Sequence, residues 1–264
     1  EYIREELTYI ARKAAACGVS HLTFADNNFG TFERDAKTAE LLQELRRKYG
    51  YPKSVSIPIG KAPKERVIET TRILGDLTHV SMNVQSMDEG VLKMIRRKNL
   101  SMDAFAAIME RLMAEGRMTS ADVILPLPGE TFSSYILGIN KLLDLGIDQI
   151  LSHTLQMNHG TPYGDDEEFR TQYGYVTKWR VVPLDFSLVD GKPVIDAEEV
   201  GVATKSFPFH EYVEARSYQF VIDLFCNSRR FDLVRKFIRS VGIADAQWID
   251  AMFCHFRAGR ASEG

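Results

Sequence analysis

Polar and apolar positions along the chain keep switching between two periods. Ile3, Leu7, Ile10 and Ala14 fall at helical spacing over 1–17, and Gly18 stops the pattern. HLTFAD (21–26) is a short β-rich run closed by Asn27, Asn28 and Gly30. A long amphipathic helix follows, with Leu41, Leu42 and Leu45 on one side and Arg46, Arg47 and Lys48 near its end. SVSIPI (54–59) reads as the next strand, and Pro63 opens a helix through Val67, Ile68 and Leu74. LTHVSMNV (77–84) is a further strand, after which Ser86–Met87–Asp88–Glu89 fits a capping box for a helix through Val91, Leu92 and Ile95. A helix over about 102–115 precedes a strand at 121–127. The helix after Thr131 runs to Leu145–Gly146, and IDQILSHTLQ (147–156) is the last strand of the series.

Strand ends near 26, 59, 85, 127 and 156 are separated by about 25 to 40 residues, the length of successive βα units. The expected fold is α/β: a parallel sheet curled into a barrel or partial barrel, with too few strands for an eightfold one. After Pro162 the pattern changes. Residues 164–170 are acidic and read as a loop or short helix. YVTKWRVV (175–182) and SLVD-GK-PVID (187–196) alternate as strands, with Asp190–Gly191 as a hairpin turn. From about Phe209 to Val241 the pattern is helical, carried by Tyr212, Val213, Phe220, Val221, Leu224, Phe225, Phe231, Val234, Phe237 and Ile238, a stripe expected to be core. The division is therefore 1–165 for the barrel and 166–264 for a C-terminal α+β extension.

The 264 residues suffice for one good core and a small appendage. Lysine and arginine number 33 against 36 aspartates and glutamates, so the net charge of −3 gives no pull toward nucleic acid or an anionic membrane. No apolar run approaches a membrane span and nothing reads as a signal peptide, so a cytoplasmic protein is expected. Cys17, Cys226 and Cys254 are far apart and odd in number, as in a reducing compartment. The chain opens on Glu1 already in helical pattern, and is expected to be part of a longer one.

Candidate chemistry gathers where strands turn into helices, the rim at which α/β folds place ligands. ADVILPLPGETFSSY (121–135) is the plainest such corner: an apolar strand broken by Pro126, Pro128 and Gly129. Asp26, Asn27 and Asn28 suit an ammonium or hydroxyl group, or serve only as turn formers. Gln85 and Ser86 suit ribose hydroxyls, while Ser86 also fits a helix cap. Arg96 and Arg97 end a helix, where the macrodipole alone favours cations. His153 reads as a satisfied core histidine and His159 as a solvated loop residue. There is no HxH, CxxC, HExxH, P-loop or GxGxxG pattern, so no metal site can be read from these residues.

In order, FADNNFGTFERD, VQSMDEGVLKMIRRKN, VILPLPGETFSSY and LQMNHGTP resemble the radical S-adenosylmethionine (radical SAM) enzymes. The likeness is greatest to the branch that often carries an N-terminal cobalamin-binding domain. VQSMDEGVLKMIRRKN is the most specific match and LPGET (127–131) the fifth-strand signature. The resemblance covers 1–165 closely and YGYVTKWRVVP and AEEVGVAT more loosely. It implies a partial (β/α)6 TIM-like barrel, here missing its first strand. It also implies a [4Fe-4S] cluster on CxxxCxxC that passes an electron into S-adenosylmethionine, giving a 5′-deoxyadenosyl radical that abstracts hydrogen from a small-molecule substrate. Cobalamin-dependent methyl transfer and rearrangement both suit the scaffold, and an electron donor for the cluster is a required partner.

The resemblance further implies that Asp26, Asn27 and Asn28 meet the ammonium of S-adenosylmethionine and Arg97 its carboxylate. Gln85 and Ser86 would meet the ribose, and Leu125, Leu127 and the segment around Gln156 the adenine. The family's CxxxCxxC loop is absent from these residues and is expected upstream of Glu1, and Ala25–Asp26–Asn27 stands where many relatives have a Gly-Gly-Glu type of motif. The alternatives are a non-radical barrel, either a binding scaffold or an aldolase-like enzyme with Lys61 as its amine, and a fragment used only for interaction. In the enzymatic reading, segment 175–241 is expected to close over the barrel mouth and select the substrate.

Overall fold

The computed structural model of the protein describes residues 1–26, 29–56, 64–78, 80–97, 106, 109, 110, 112, 114, 116 and 118–262. Asn27, Asn28, Lys61, Pro63 and most of the helix expected over 102–115 lie outside them. Internal packing divides the chain into two units. One is Glu1–Asn83, Asn99–Ala121 and Leu145–Gln149; the other is Val84–Lys98, Asp122–Asp144 and Ile150–Gly264.

In the first unit, α1 (Tyr2–Ala16) stops where Gly18, at φ +70°, enters the left-handed region. The Val19 N–H then reaches back to the Ala14 carbonyl at 2.9 Å, satisfying a helix end that would otherwise be bare. β1 (His21–Thr23) pairs in parallel with β2 (Ser54–Ser56), Leu22 lying opposite Val55. Between them runs α2 (Glu33–Tyr49), and α3 (Lys64–Leu74) follows. Leu7 and Ala11 of α1, Leu41, Leu42 and Leu45 of α2, and Leu74 and Leu77 form one core around Val55. Each such leucine contributes about 1.5–3 kcal/mol by leaving water. Ile3, expected on the buried stripe, is 44% exposed.

A three-stranded sheet has the order β3 (Val80–Gln85), β4 (Thr119–Leu125), β5 (Gln149–Thr154). Among the described residues the expected continuous sheet stands in pieces, two strands and then three, with a parallel bridge from Val55 to Thr78. The sheets are small and, among the described residues, do not close into a barrel. β1 and β2 are three residues each, and the outer edge of β5 is occupied by side chains. Arg216 donates to the Ser152 carbonyl at 2.6 Å, and Gln219 and Asn227 to that of Ile150 at 2.8 Å each. An edge filled in this way offers no further strand a ladder to join.

In the second unit, α4 (Glu89–Met94) follows β3, and α5 (Phe132–Asp144) follows β4 with Tyr135, Ile139, Leu142 and Leu143 buried. Two short helices, α6 (Pro162–Asp165) and α7 (Glu167–Tyr173), stand where an acidic loop or short helix is expected. β6 (Val176–Val189) and β7 (Lys192–Ala203) form one long antiparallel hairpin rather than a separate strand and a short hairpin. Its turn is Asp190–Gly191, both at positive φ, the conformation that this pair favours.

α8 (Phe209–Ile222) continues into a π-helical turn, Asp223–Asn227, and is followed by α9 (Asp232–Ser240) and α10 (Asp245–Ser262). The expected core stripe holds at Val221 and Ile238, which are buried, and is corrected at five other positions. Val213, Phe220, Leu224, Val234 and Phe237 are exposed, while α8 turns Ala215, Tyr218 and Ile222 inward. Among the described residues no helix is long and apolar enough to cross a membrane.

Candidate functional site

β3 ends in a turn of unusual geometry. Gln85 has φ +64°, and the Ser86 N–H donates to the Val84 carbonyl at 2.9 Å, closing a three-residue γ-turn around Gln85. A non-glycine residue held there costs about 1–3 kcal/mol, and such strain collects at ligand sites. Ser86 behind it is buried: its hydroxyl donates to Glu130 Oε1 at 2.8 Å and accepts the Asp88 N–H at 3.1 Å. The helix cap expected at Ser86 is Asp88 instead, whose Oδ1 accepts the Val91 N–H at 2.9 Å. With its hydroxyl turned into the protein, Ser86 braces the turn, and two residues later the Asp88 carboxylate caps the helix at the Val91 N–H.

α4 ends in a Schellman turn, with the Arg97 N–H on the Leu92 carbonyl at 2.8 Å and Arg96 at φ +53° in the place glycine usually takes. This turn sets Arg97 on the surface. Among the described residues its guanidinium forms no hydrogen bond or ion pair. Its charge acts on Tyr163, whose phenol burial pushes up and Arg97 partly draws back.

The β4 corner is built by a type II turn. The Glu130 N–H donates to the Leu127 carbonyl at 3.2 Å, with Pro128 and Gly129 (φ +76°) at its centre. Glycine is favoured here by φ, and a Cβ on Gly129 would also overlap the flexible end of Met94, which would have to shift. Thr131 and Ser134 then cap α5 reciprocally, each side-chain oxygen accepting the other's N–H, at 3.1 and 2.9 Å. Leu125 is fully buried and its carbonyl accepts the Leu155 N–H at 2.8 Å; Leu127 is 2% exposed.

Glu130, inside LPGET but without an assigned role there, is 2% exposed. Its Oε2 has no hydrogen-bond partner among the described residues. Burial pushes its carboxyl up to about 8, helped by the nearby charge of Asp88 and opposed by the bonds from Ser86 and the Leu127 backbone.

At the β5 corner the chain is stitched into the hairpin. The Met157 N–H donates to the Glu199 carbonyl and the Gly201 N–H to that of Leu155, at 2.9 Å each. Gln156, opposite Val200, is exposed and donates its carboxamide N–H to Glu198 Oε2. His153 is corrected from a core residue: its side chain is 58% exposed and paired with Asp122 at 2.9 Å. His159 is solvated as read, on a 2.8 Å bond to Asp165.

One apolar cluster lies beneath these three corners: Val91, Leu127, Leu155 and Met157, with Ile95, Ile124, Tyr163 and Tyr175 against it. Gln85, Ser86, Arg97, Leu125, Leu127 and Gln156 all belong to this second unit. Asp26 belongs to the first, two residues after Phe24, whose N–H donates to the Ser56 carbonyl at 2.9 Å. Among the described residues no group of three or more Cys, His, Asp and Glu can hold a metal ion. Cys17, Cys226 and Cys254 are free thiols.

No family model matches the chain. It is 31% identical over 225 residues to the cobalamin-dependent radical SAM methyltransferase TokK of Streptomyces tokunonensis, covering 83% of this chain and 32% of TokK. It is 32% identical over 149 residues to the 2-(S-pantetheinyl)-carbapenam-3-carboxylate methyltransferase of Streptantibioticus cattleyicolor, covering 55% of this chain and 21% of that protein. The chain thus spans a third or less of the curated relatives it matches. Among solved structures, the radical S-adenosylmethionine methyltransferase TsrM of Kitasatospora setae aligns with 70% of this chain and 35% of its own, at 16% identity and TM-score 0.45. The chain belongs to the radical S-adenosylmethionine superfamily, whose cobalamin-dependent methyltransferases include its relative TokK.

Proposed function

We propose that the chain supplies the S-adenosylmethionine-binding part of a cobalamin-dependent radical SAM methyltransferase acting on a small molecule. The observation that carries this reading is the 31% identity to TokK across 83% of the chain. When bound, S-adenosylmethionine supplies an activated methyl group and, on one-electron cleavage, a hydrogen-abstracting radical, while cobalamin carries the methyl group.

The corner residues suit the first of these groups. Arg97, an exposed cation without a partner among the described residues, takes the carboxylate. Gln85, with Ser86 behind it, offers a carboxamide to the ribose, and its strained turn sets the direction. Leu125, Leu127 and the Gln156 segment make the apolar and backbone surface for the adenine, and Asp26, Asn27 and Asn28 are assigned to the ammonium. The described residues do not fit a [4Fe-4S] cluster, since no three suitable ligands stand together. They are assigned neither the cluster nor its electron donor, and none is assigned to cobalamin.

Calorimetric titration with S-adenosylmethionine tests the reading. Gln85→Ala and Arg97→Ala should each weaken binding by about 1–3 kcal/mol, the loss of one polar partner. Unchanged affinity in both variants would return Gln85 to a turn and Arg97 to a helix end.

A further inference from the structure

Glu130 stands between two of the corners and is used by neither in the reading above. Its Oε1 accepts the Ser86 hydroxyl at 2.8 Å, but Oε2 is buried without a partner among the described residues. The titratable groups that face it are Asp88 at the start of α4, Tyr135 on α5 and Tyr175 at the entrance to β6. None is a cation. Asp88 opposes a second negative charge, and burial pushes both phenols far up, so they stay neutral. An ionised carboxylate here would hold one oxygen bare of any donor in apolar surroundings, which disfavours the charged form. A proton on Oε2 removes the charge and leaves Oε1 to accept from Ser86.

Ser86 is in turn the residue whose N–H closes the γ-turn around Gln85. We propose that Glu130 is a positioning residue that works in its protonated form: it anchors Ser86, thereby fixes the Gln85 turn against the Leu127 turn, and weakens that corner when it ionises, because Oε2 then carries charge with no donor among the described residues. The ligand half of this inference rests on the S-adenosylmethionine reading of the site; the proton half rests on the corner's geometry alone.

Two measurements on the wild-type chain and Glu130→Gln test it. The first is the urea midpoint between pH 5 and pH 9. The carboxyl has its ordinary value near 4.5 when unfolded and about 8 when folded. The folded chain therefore holds an extra proton between those values, and stability that is full below about 4.5 is lost as pH rises to about 8 and is then level. The wild-type midpoint should fall through this window relative to Glu130→Gln, and parallel profiles would overturn the proton. Should the variant not fold, the carbonyl-stretch infrared band of a protonated glutamic acid, present at pH 7 and lost at pH 10 in wild type, replaces it; no such band at pH 7 overturns the proposal.

The second is affinity for S-adenosylmethionine at pH 7 and pH 9. One pH unit above about 8 only about a tenth of Glu130 keeps its proton, so wild type should lose about tenfold more affinity than Glu130→Gln. The ligand's own amine titrates in the same range, so only the difference between the two chains counts. An equal loss in both overturns the positioning role. A pH-dependent stability with no binding at any pH overturns the reading of the site and leaves the proton on Glu130 standing.

Discussion

The side-chain amide of Asn227 takes both backbone groups of Ile150, accepting its N–H and donating to its carbonyl at 2.8 Å each. It does for β5 what the next strand of a sheet would do. Asp223 holds the amide from the other side, 2.6 Å from Nδ2. Asn227→Ala should therefore cost about 1–3 kcal/mol, because the Ile150 N–H loses its acceptor. Urea unfolding measures this, and a loss below about 0.5 kcal/mol would mean that water replaces the amide without penalty.

Gly129 has two separate requirements that a pair of variants can divide. Gly129→Ala forces a side chain into φ +76° and into Met94 Sδ. The expected loss is above about 1 kcal/mol. Met94→Ala in the same chain should recover the steric part and leave the backbone part, as read from the three unfolding midpoints.

The thiols should react in two classes. Cys17 and Cys254 are exposed, whereas Cys226 is 1% exposed and burial pushes it up to about 11. Iodoacetamide at pH 8 should alkylate the first two in the folded chain and Cys226 only after unfolding, as mass spectrometry of the peptides reports. Alkylation of Cys226 at the same rate would show that the helices around it open readily.

Gln85 should trade stability against binding. Glycine tolerates the γ-turn, so Gln85→Gly should relieve the strain and, after the glycine's own entropy cost, stabilise the chain by about 1 kcal/mol. The same change removes the carboxamide and should weaken S-adenosylmethionine binding. A variant that is both less stable and unchanged in affinity would contradict the role given to that turn.

Local signals carried much of the fold. Gly18 ends α1 and Asp190–Gly191 turns the hairpin because those conformations depend on residue type at one position. Questions of facing were harder to read. On β5, Leu151 and His153 point to one side and Ile150 and Thr154 to the other, so His153 shares the exposed side with Leu151. On α8 the buried face is offset from the expected stripe because Gln219 and Arg216, polar residues, turn toward the β5 edge to cap it. The corners at Gln85 and Leu127 could be picked out from their turn residues. The burial of Glu130 within LPGET could not, since an acid just before a helix has the same appearance whether it is solvated or sealed.

The backbone of Leu155 is bonded on both sides, to Leu125 of β4 and to Gly201 of β7, and Met157 continues the second seam at Glu199. For anyone grafting the C-terminal region between relatives, the natural cut is therefore not at the start of β6. A chimera joined near residue 175 would pair one parent's loop with the other parent's β7, and a slip of one residue there would turn Gln156 to the opposite side. Crossovers placed before Thr154 would carry loop and hairpin together and keep their alignment intact.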